Sequence, residues 1–285
     1  MKIWLHNKLV DEADAKISVF DHGLLYGDGV FEGIRVYSGR VFEFKAHLKR
    51  LFDSAKALRL TIPMTEQQLI DATELCVKTN NVTDGYIRLV VTRGVGNLGL
   101  NPFTCKEPQV FIIADKIQLY PEELYQKGMK VVSAATVRNH PQSVPPQVKS
   151  LNYLNNILAK IEAIDSNVPE AIMYNHEGFV AEATGDNVFV VKSGILYTPP
   201  VENGSLEGIT RKVVIELARK ENIQVEEKSL TRFDLYTSDE FFLTGTAAEV
   251  IGVVAIDGRQ IGDGAPGPIT KLLSKKFLEY AHSKK

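Results

Sequence analysis

A single lysine, Lys149, stands between a proline-rich segment, PQSVPPQV, and the apolar run SLNYLNNILA. A lysine amine attacks an aldehyde only when unprotonated, and confinement beside an apolar helix start favours the neutral amine by desolvation. The spacing admits two readings of Lys149: a Schiff-base former at the mouth of a helix, or a solvated helix-flanking lysine. Tyr153 follows four residues later and comes within about one turn if that helix starts early. It then either hydrogen-bonds a group held near the amine or packs in a core. Arg50 breaks the apolar stripe of HLKRLFDSAKAL, three residues after His47. Its rigid donor fork suits a phosphate, and a wet helix face would hold it equally well.

Two loops add candidate anion sites. GSLEGIT, from Gly204 to Thr210, precedes an apolar-periodic helix; Gly208 allows close approach, Thr210 offers a hydroxyl, and unpaired helix-start N–H groups suit a dianion. Gly245-Thr246-Ala247 repeats the arrangement after the strand-like EFFL. Each competes with an ordinary loop. In YIRLVVT, period two places Tyr86, Arg88 and Val90 on one face and Ile87, Leu89 and Val91 on the other. Arg88 is therefore either paired in a core network or aimed into a pocket. Glu182, between two strand-like runs, either keeps a heterocyclic nitrogen protonated or meets solvent. One amine, several anion sites and a carboxylate are what a phosphate-bearing aldehyde cofactor requires.

These groups need elements to hold them. The chain has 285 residues, 44% hydrophobic and 24% charged, with a formal net charge of -2. That is enough for one large domain or two moderate ones, with no global basic field for nucleic acid or anionic lipid. The basic clusters Lys275-Lys276 and Lys284-Lys285 read as solvated charge. Cys76 and Cys105 form no disulfide framework. The six histidines carry no zinc spacing, so His22 and His140 read as structural. No stretch approaches a membrane span, the N-terminal MKIWLHNKLVDE lacks an apolar h-region, no P-loop or G-x-S-x-G occurs, and GDGVFEG lacks the glycine pattern of a dinucleotide loop. A cytoplasmic location is the default expectation.

The patterns predict helices over His47–Leu58, Thr65–Thr79 (opened by a capping box at Thr65 and Gln68), Tyr153–Asp165, Glu207–Lys220 and after Pro268. They predict strands over Tyr86–Thr92, Gln109–Ala114, Met129–Ala135, Glu170–Tyr174, Asn187–Val191, Glu240–Leu243 and Glu249–Ile256, and a hairpin at YSGR. Without a steady βαβ beat, the expected class is α+β in two lobes. The expected division is a smaller α+β domain over 1–120, an interdomain segment over 121–131 and a larger domain over 132–285.

With these motifs in place, the chain resembles the branched-chain amino acid aminotransferases of the type IV pyridoxal-phosphate fold. The resemblance runs through FDHGLLYGDGVFEGIRVYSG, HLKRLFDSAKAL, YIRLVVTRG, KSLNYLNNILAK, EATGDNVFVV, GSLEGITR and FLTGTAAEV. It implies a two-lobed enzyme with pyridoxal 5'-phosphate between the lobes. Lys149 matches the lysine that forms the Schiff base and shuttles the substrate proton. Arg50 matches the phosphate arginine, joined by the backbone of Leu206, Gly208 and Ile209 and the hydroxyls of Thr210 and Thr246. Tyr153 matches the partner of the phenolic oxygen, and Glu182 that of the pyridine nitrogen. Thr246, Ala247 and Tyr86 resemble the receivers of the substrate α-carboxylate. Phe31, Gly33 and Tyr26 fall where the family lines its side-chain pocket, Tyr26 in the pocket of a neighbouring subunit. Arg35 is expected to orient the tyrosines, and Arg88 to reach the distal carboxylate of an acidic substrate.

The implied activity is ping-pong transamination between L-leucine, L-isoleucine or L-valine and 2-oxoglutarate, in a homo-oligomer of at least a dimer, with no metal, nucleic acid or membrane involved. Three relatives of the same fold offer alternatives. D-amino acid aminotransferases place R-x-H after the Arg88 strand, where this chain reads TRGVGNLGLNP. Aminodeoxychorismate lyases carry a threonine near Gly33. Activity on (R)-amines is the third. Leu89 stands where many branched-chain enzymes have proline.

Overall fold

The computed structural model describes residues 1–117 and 120–283, so Lys284 and Lys285 lie outside the described residues. The chain divides into two compact units, Met1–Ile117 with Val148–Asn152, and Gln118–Gln147 with Tyr153–Lys285. Each is a mixture of helices and sheet, the α+β class. The stretch 121–131 belongs to the second unit and contains a short helix and the start of a strand.

The first unit is built on the strands β1 (Lys2–Leu5), β2 (Lys8–Asp11), β3 (Gly29–Tyr37), β4 (Arg40–Val41), β5 (Gly85–Thr92) and β6 (Gln109–Asp115), with helices α1 (His22–Tyr26), α2 (Phe44–Ala57) and α3 (Glu66–Thr79). The strands lie in the order β2-β1-β6-β5-β3-β4. Period two works as the sequence predicts. Val30, Ile34 and Val36 of β3 join Ile87, Leu89 and Val91 of β5 in one core with Leu48, Leu51 and Ala55 of α2 and Leu69, Ala72 and Cys76 of α3. Tyr86 and Arg88 face the other way and are half-buried. The YSGR hairpin closes on the pair Tyr37–Arg40 through Ser38 and Gly39, both at positive φ, the geometry of a tight hairpin turn. The Thr65–Gln68 capping box forms in both directions. Helix α2 begins three residues before His47, at Phe44.

The second unit holds α4 (Glu122–Lys127), β7 (Met129–Ser133), α5 (Leu154–Asp165), β8 (Glu170–Tyr174), β9 (Val180–Ala183), β10 (Asn187–Lys192), β11 (Ile195–Thr198), α6 (Ile209–Lys220), β12 (Val225–Glu227), α7 (Arg232–Tyr236), β13 (Glu240–Gly245), β14 (Glu249–Ile256), β15 (Arg259–Gln260) and α8 (Pro268–His282). Its sheet runs β12-β11-β10-β13-β14-β7-β8-β9, with β15 on β14. Pairing is parallel at β11–β12, β14–β7 and β7–β8 and antiparallel elsewhere. The apolar stripe of α5 faces outward, with Leu154, Ile157, Leu158 and Ile161 between 46% and 68% exposed. No described helix is long and apolar enough to cross a membrane.

Candidate active site

In the first unit, backbone pairing fixes where Lys149 points. Phe31 donates its N–H to the Lys149 carbonyl at 3.1 Å, Leu151 donates to the Gly29 carbonyl at 2.9 Å, and Ser150 bridges Val30. The segment 149–151 is thus a short added strand on the edge of β3, with Lys149 opposite Phe31. Opposed residues share a face. The Lys149 Nζ accordingly lies 4.6 Å from the centroid of the Phe31 ring. The Lys149 N–H donates to Ser54 Oγ of α2 at 3.1 Å. The expected helix mouth is corrected by these contacts. Helix α5 begins only at Leu154, so β3 and the Phe31 ring surround Lys149, and Lys149 and Tyr153 share no helical turn.

The same face carries the other candidates. Gly33 pairs with Arg88 and Arg35 with Tyr86. The Arg88 guanidinium lies 4.5 Å from the Phe31 centroid and 5.4 Å from that of Tyr86, and among the described residues it has no ion pair or hydrogen bond. Arg35 stacks on Tyr37 at 5.0 Å. A Cβ on Gly33 would fall 1.8 Å from Tyr86 Oη. Position 33 is therefore a seat for the Tyr86 phenol, and any side chain there displaces it. Strand β5 continues through Leu89, which pairs with both Glu32 and Ile112. The leucine in place of proline leaves the strand unbroken.

Under that face lies Glu32, a residue the sequence motifs do not single out. It is fully buried and accepts from Arg50 Nε at 2.7 Å, Arg50 Nη2 at 2.8 Å and His47 Nδ1 at 2.7 Å. Burial alone would raise its pKa, but the charge and hydrogen bonds of Arg50, with the hydrogen bond of His47, hold the carboxyl at about 2. Burial pushes the His47 pKa down, against the hydrogen bond and charge of Glu32; Arg50 and Lys149 add to the depression. His47 is thus a neutral ring donating to a carboxylate. The one signal of Glu32 in the sequence is a glutamate in an otherwise apolar stripe between Val30 and Ile34.

In the second unit, Glu182 sits inside β9, not between strands as expected. Its Oε1 accepts from Arg138 Nε at 2.9 Å, and its Oε2 accepts from the Leu206 N–H at 2.9 Å. Arg138 also donates through Nη1 to Asn155 and Asn156 in the first turn of α5, at 2.9 and 3.2 Å. Arg138 is likewise unmarked in the sequence; its partner lies 44 residues away, and no local pattern announces the pair. Asn187 donates to the Leu206 carbonyl at 2.9 Å and occupies the space where a Cβ on Gly208 would fall.

Helix α6 starts at Ile209 with no side-chain cap, and among the described residues the N–H groups of Ile209 and Thr210 make no hydrogen bond. Ser205 Oγ is buried nearby in sequence without a described partner. An uncapped helix start of this kind accepts an anion. The turn from β13 to β14 comprises Thr246, Ala247 and Ala248, and the N–H groups of Thr246 and Ala247 are likewise unbonded among the described residues. Asp186 Oδ1 stands where a Gly245 Cβ would fall, at 1.8 Å, so only glycine fits at the head of that turn.

The sequence pattern described as "Amino-transferase class IV" matches residues 29–256, which span nearly all of these groups. The chain belongs to the class IV aminotransferases. Within that family it is 54% identical over 279 residues, 98% of this chain and 96% of the other, to a Methanocaldococcus jannaschii protein with the provisional name branched-chain-amino-acid aminotransferase. Two structures of the T.th. branched-chain amino acid aminotransferase match with TM-score 0.94 and 37% identity, covering 100% of this chain and 95% of theirs. One is complexed with N-(5'-phosphopyridoxyl)-L-glutamate and the other with 4-methylvaleric acid. As a class IV aminotransferase, the chain presents its candidate residues as two sets. Phe31, Gly33, Arg35, Tyr86, Arg88 and Lys149 share one face of the first sheet, with Arg50 beneath it. Glu182, Leu206, Gly208, Ile209 and Thr210 cluster in the second unit, where Tyr153 is the residue preceding α5 and Thr246 and Ala247 form the β13–β14 turn. Tyr26 ends α1, 36% exposed, its hydroxyl donating to the Leu98 carbonyl at 2.5 Å.

Proposed function

We propose that the protein is a pyridoxal-phosphate-dependent branched-chain amino acid aminotransferase, using 2-oxoglutarate and glutamate as the acidic pair in a ping-pong cycle. The observation that carries the reading is the shared face of β3 and β5, where the Lys149 amine and the Arg88 guanidinium flank one aromatic ring. The residues present suit the cofactor: an uncapped helix start and the Ser205 hydroxyl, without a partner among the described residues, for a phosphate, a buried carboxylate for a ring nitrogen, and an amine for the aldehyde. When bound, that cofactor supplies the electron sink that makes the substrate Cα–H acidic.

Each residue then has one task. Lys149 Nζ would be the amine that holds the cofactor aldehyde and the base for the substrate Cα proton. Glu182 would keep a proton on the pyridine nitrogen, and Tyr153 would donate to the phenolic oxygen. Arg50 in the first unit, and Thr210, Thr246 and the backbone of Leu206, Gly208 and Ile209 in the second, would each present donors suited to its phosphate. The N–H groups at Thr246 and Ala247 would suit a substrate α-carboxylate, as would the Tyr86 hydroxyl of the first unit. Phe31 and the Tyr86 ring seated on Gly33 form an apolar wall for a branched side chain, held in place through Arg35. Arg88, without an acid partner among the described residues, receives a distal carboxylate. The T.th. complexes with a glutamate derivative and with a branched aliphatic acid match this pair of demands.

The D-enzyme alternative is weakened by Arg93, the arginine after β5. Its guanidinium is committed to Asp28 at 2.9 Å and to the carbonyls of Leu58 and Arg59. The reading includes a cytoplasmic homo-oligomer of at least a dimer, in which Tyr26 lines a neighbouring pocket. Exposed apolar side chains beside it, Val19, Leu24, Leu98 and Leu100, support a covered surface there. The decisive experiment is a half-reaction panel with L-leucine, L-valine, L-glutamate, D-alanine and an (R)-amine. We expect turnover of the three L-amino acids, and a visible cofactor band that borohydride removes. A Lys149→Ala protein that kept covalent cofactor and full turnover would refute the mechanism.

A further inference from the structure

We propose that Glu32 is a positioning residue that sets the direction of Arg50 and thereby makes the protein selective for a phosphorylated ligand. The inference rests on the cofactor reading above. His47 and Arg50, three residues apart on α2, fall on one helix face and converge on a single carboxylate of β3. Glu32 takes the Nε and Nη2 donors of Arg50, the two that define one edge of the guanidinium plane. A planar fork held along one edge has its remaining donors aimed in a fixed direction. The entropy of ordering this long side chain is then lost on folding and is not charged again to ligand binding.

The chemistry of the carboxylate is specific to this task. Glu32 accepts three donors, and both oxygens are used. A glutamine offers one accepting oxygen and turns an NH2 toward a donor of Arg50 or His47, so it cannot hold the fork by two points. A buried ion pair is poor evidence of stabilisation for its own sake, since apolar packing of the same volume is often as stable. The neighbours of Glu32 along β3 are Phe31 and Gly33, which face the opposite side. One strand step thus ties the phosphate grip to the face that carries Lys149 and Arg88.

The test compares pyridoxal 5'-phosphate with pyridoxal, its unphosphorylated form, titrated into the apoprotein by absorbance. In the unaltered protein the phosphorylated form binds far more tightly. In Glu32→Gln its affinity falls by about tenfold or more, while that for pyridoxal changes by less than about threefold. Combining Glu32→Gln with Arg50→Lys adds little beyond the larger single loss. Glu32→Asp keeps the charge but draws it back from the fork, and its preference for the phosphorylated form falls between the two. Equal loss for both ligands in Glu32→Gln shows general structural damage and overturns the proposal. So does an unaltered preference in Glu32→Asp, should Glu32→Gln not fold. An unaltered protein that binds neither ligand overturns the cofactor reading itself, a result distinct from either.

Discussion

Replacing Arg88 by glutamine separates the two substrate classes. The guanidinium rests on the rings of Phe31 and Tyr86 at 4.5 and 5.4 Å. Among the described residues no acid pairs with it, so its removal strands no buried charge and should shift folding stability by no more than about 0.5 kcal/mol. A charge-assisted hydrogen bond to a substrate carboxylate is worth about 1.5–3 kcal/mol. At about 1.4 kcal/mol per factor of ten, kcat/KM for glutamate and 2-oxoglutarate should fall roughly 10- to 150-fold. Leucine loses only the apolar wall that the guanidinium helps to order, about 0.5–1 kcal/mol or two- to fivefold. Single-turnover half-reactions with each amino acid isolate these numbers from the second substrate. Arg88→Lys should fall between, since it keeps the charge and loses the fork. Equal losses for glutamate and leucine would show that Arg88 only supports the Phe31 ring, and the argument for dual specificity would fail.

Two further outcomes follow from the same geometry. Gly33→Ala forces the Tyr86 phenol off its seat and should cost about 1–3 kcal/mol in urea unfolding. That cost should largely vanish in a Tyr86→Ser background; persistence there would place the clash elsewhere. The Glu32–His47 pair predicts acid sensitivity in two stages. Below the ordinary histidine value of 6.5, the unfolded chain takes up a proton that buried His47 resists, so stability declines as pH falls. The stabilisation from Glu32, complete above 4.5, is lost as pH falls from there toward about 2. In pH-resolved urea titrations, His47→Asn should abolish the first stage alone; an unchanged profile would contradict the neutral assignment of His47.

Local rules make much of this legible in the sequence. The alternation in β5, the capping box at Thr65 and the hairpin at Ser38-Gly39 each depend on residues within one or two turns, and each formed as read. Arg88 and Tyr86 could be placed on one face by counting. What the sequence withheld lay in contacts across long separations. Glu32 was readable only as a charge in an apolar stripe, its purpose hidden until α2 brought His47 and Arg50 to it. Arg138 had no local mark. VAEA in β9 is too short and too mixed to alternate visibly, so the sequence alone does not mark Glu182 as a strand residue. The apolar run after Lys149 is conspicuous and points to a helix, whereas the residues that hold it, Gly29 and Phe31, lie more than a hundred positions earlier.

That last placement bears on how the chain tolerates change. The reach of the Lys149 amine is set by two backbone hydrogen bonds to the edge of β3, and the proline-rich segment before it is exposed from Gln142 to Pro145. Residues added within the exposed part, Gln142 to Pro145, should therefore leave the amine in place, and that stretch could be cut open for a new terminus or a grafted peptide. A single residue added between Lys149 and Leu151 would be a different matter. It would shift the pairing by one and turn the amine to the opposite side of the sheet.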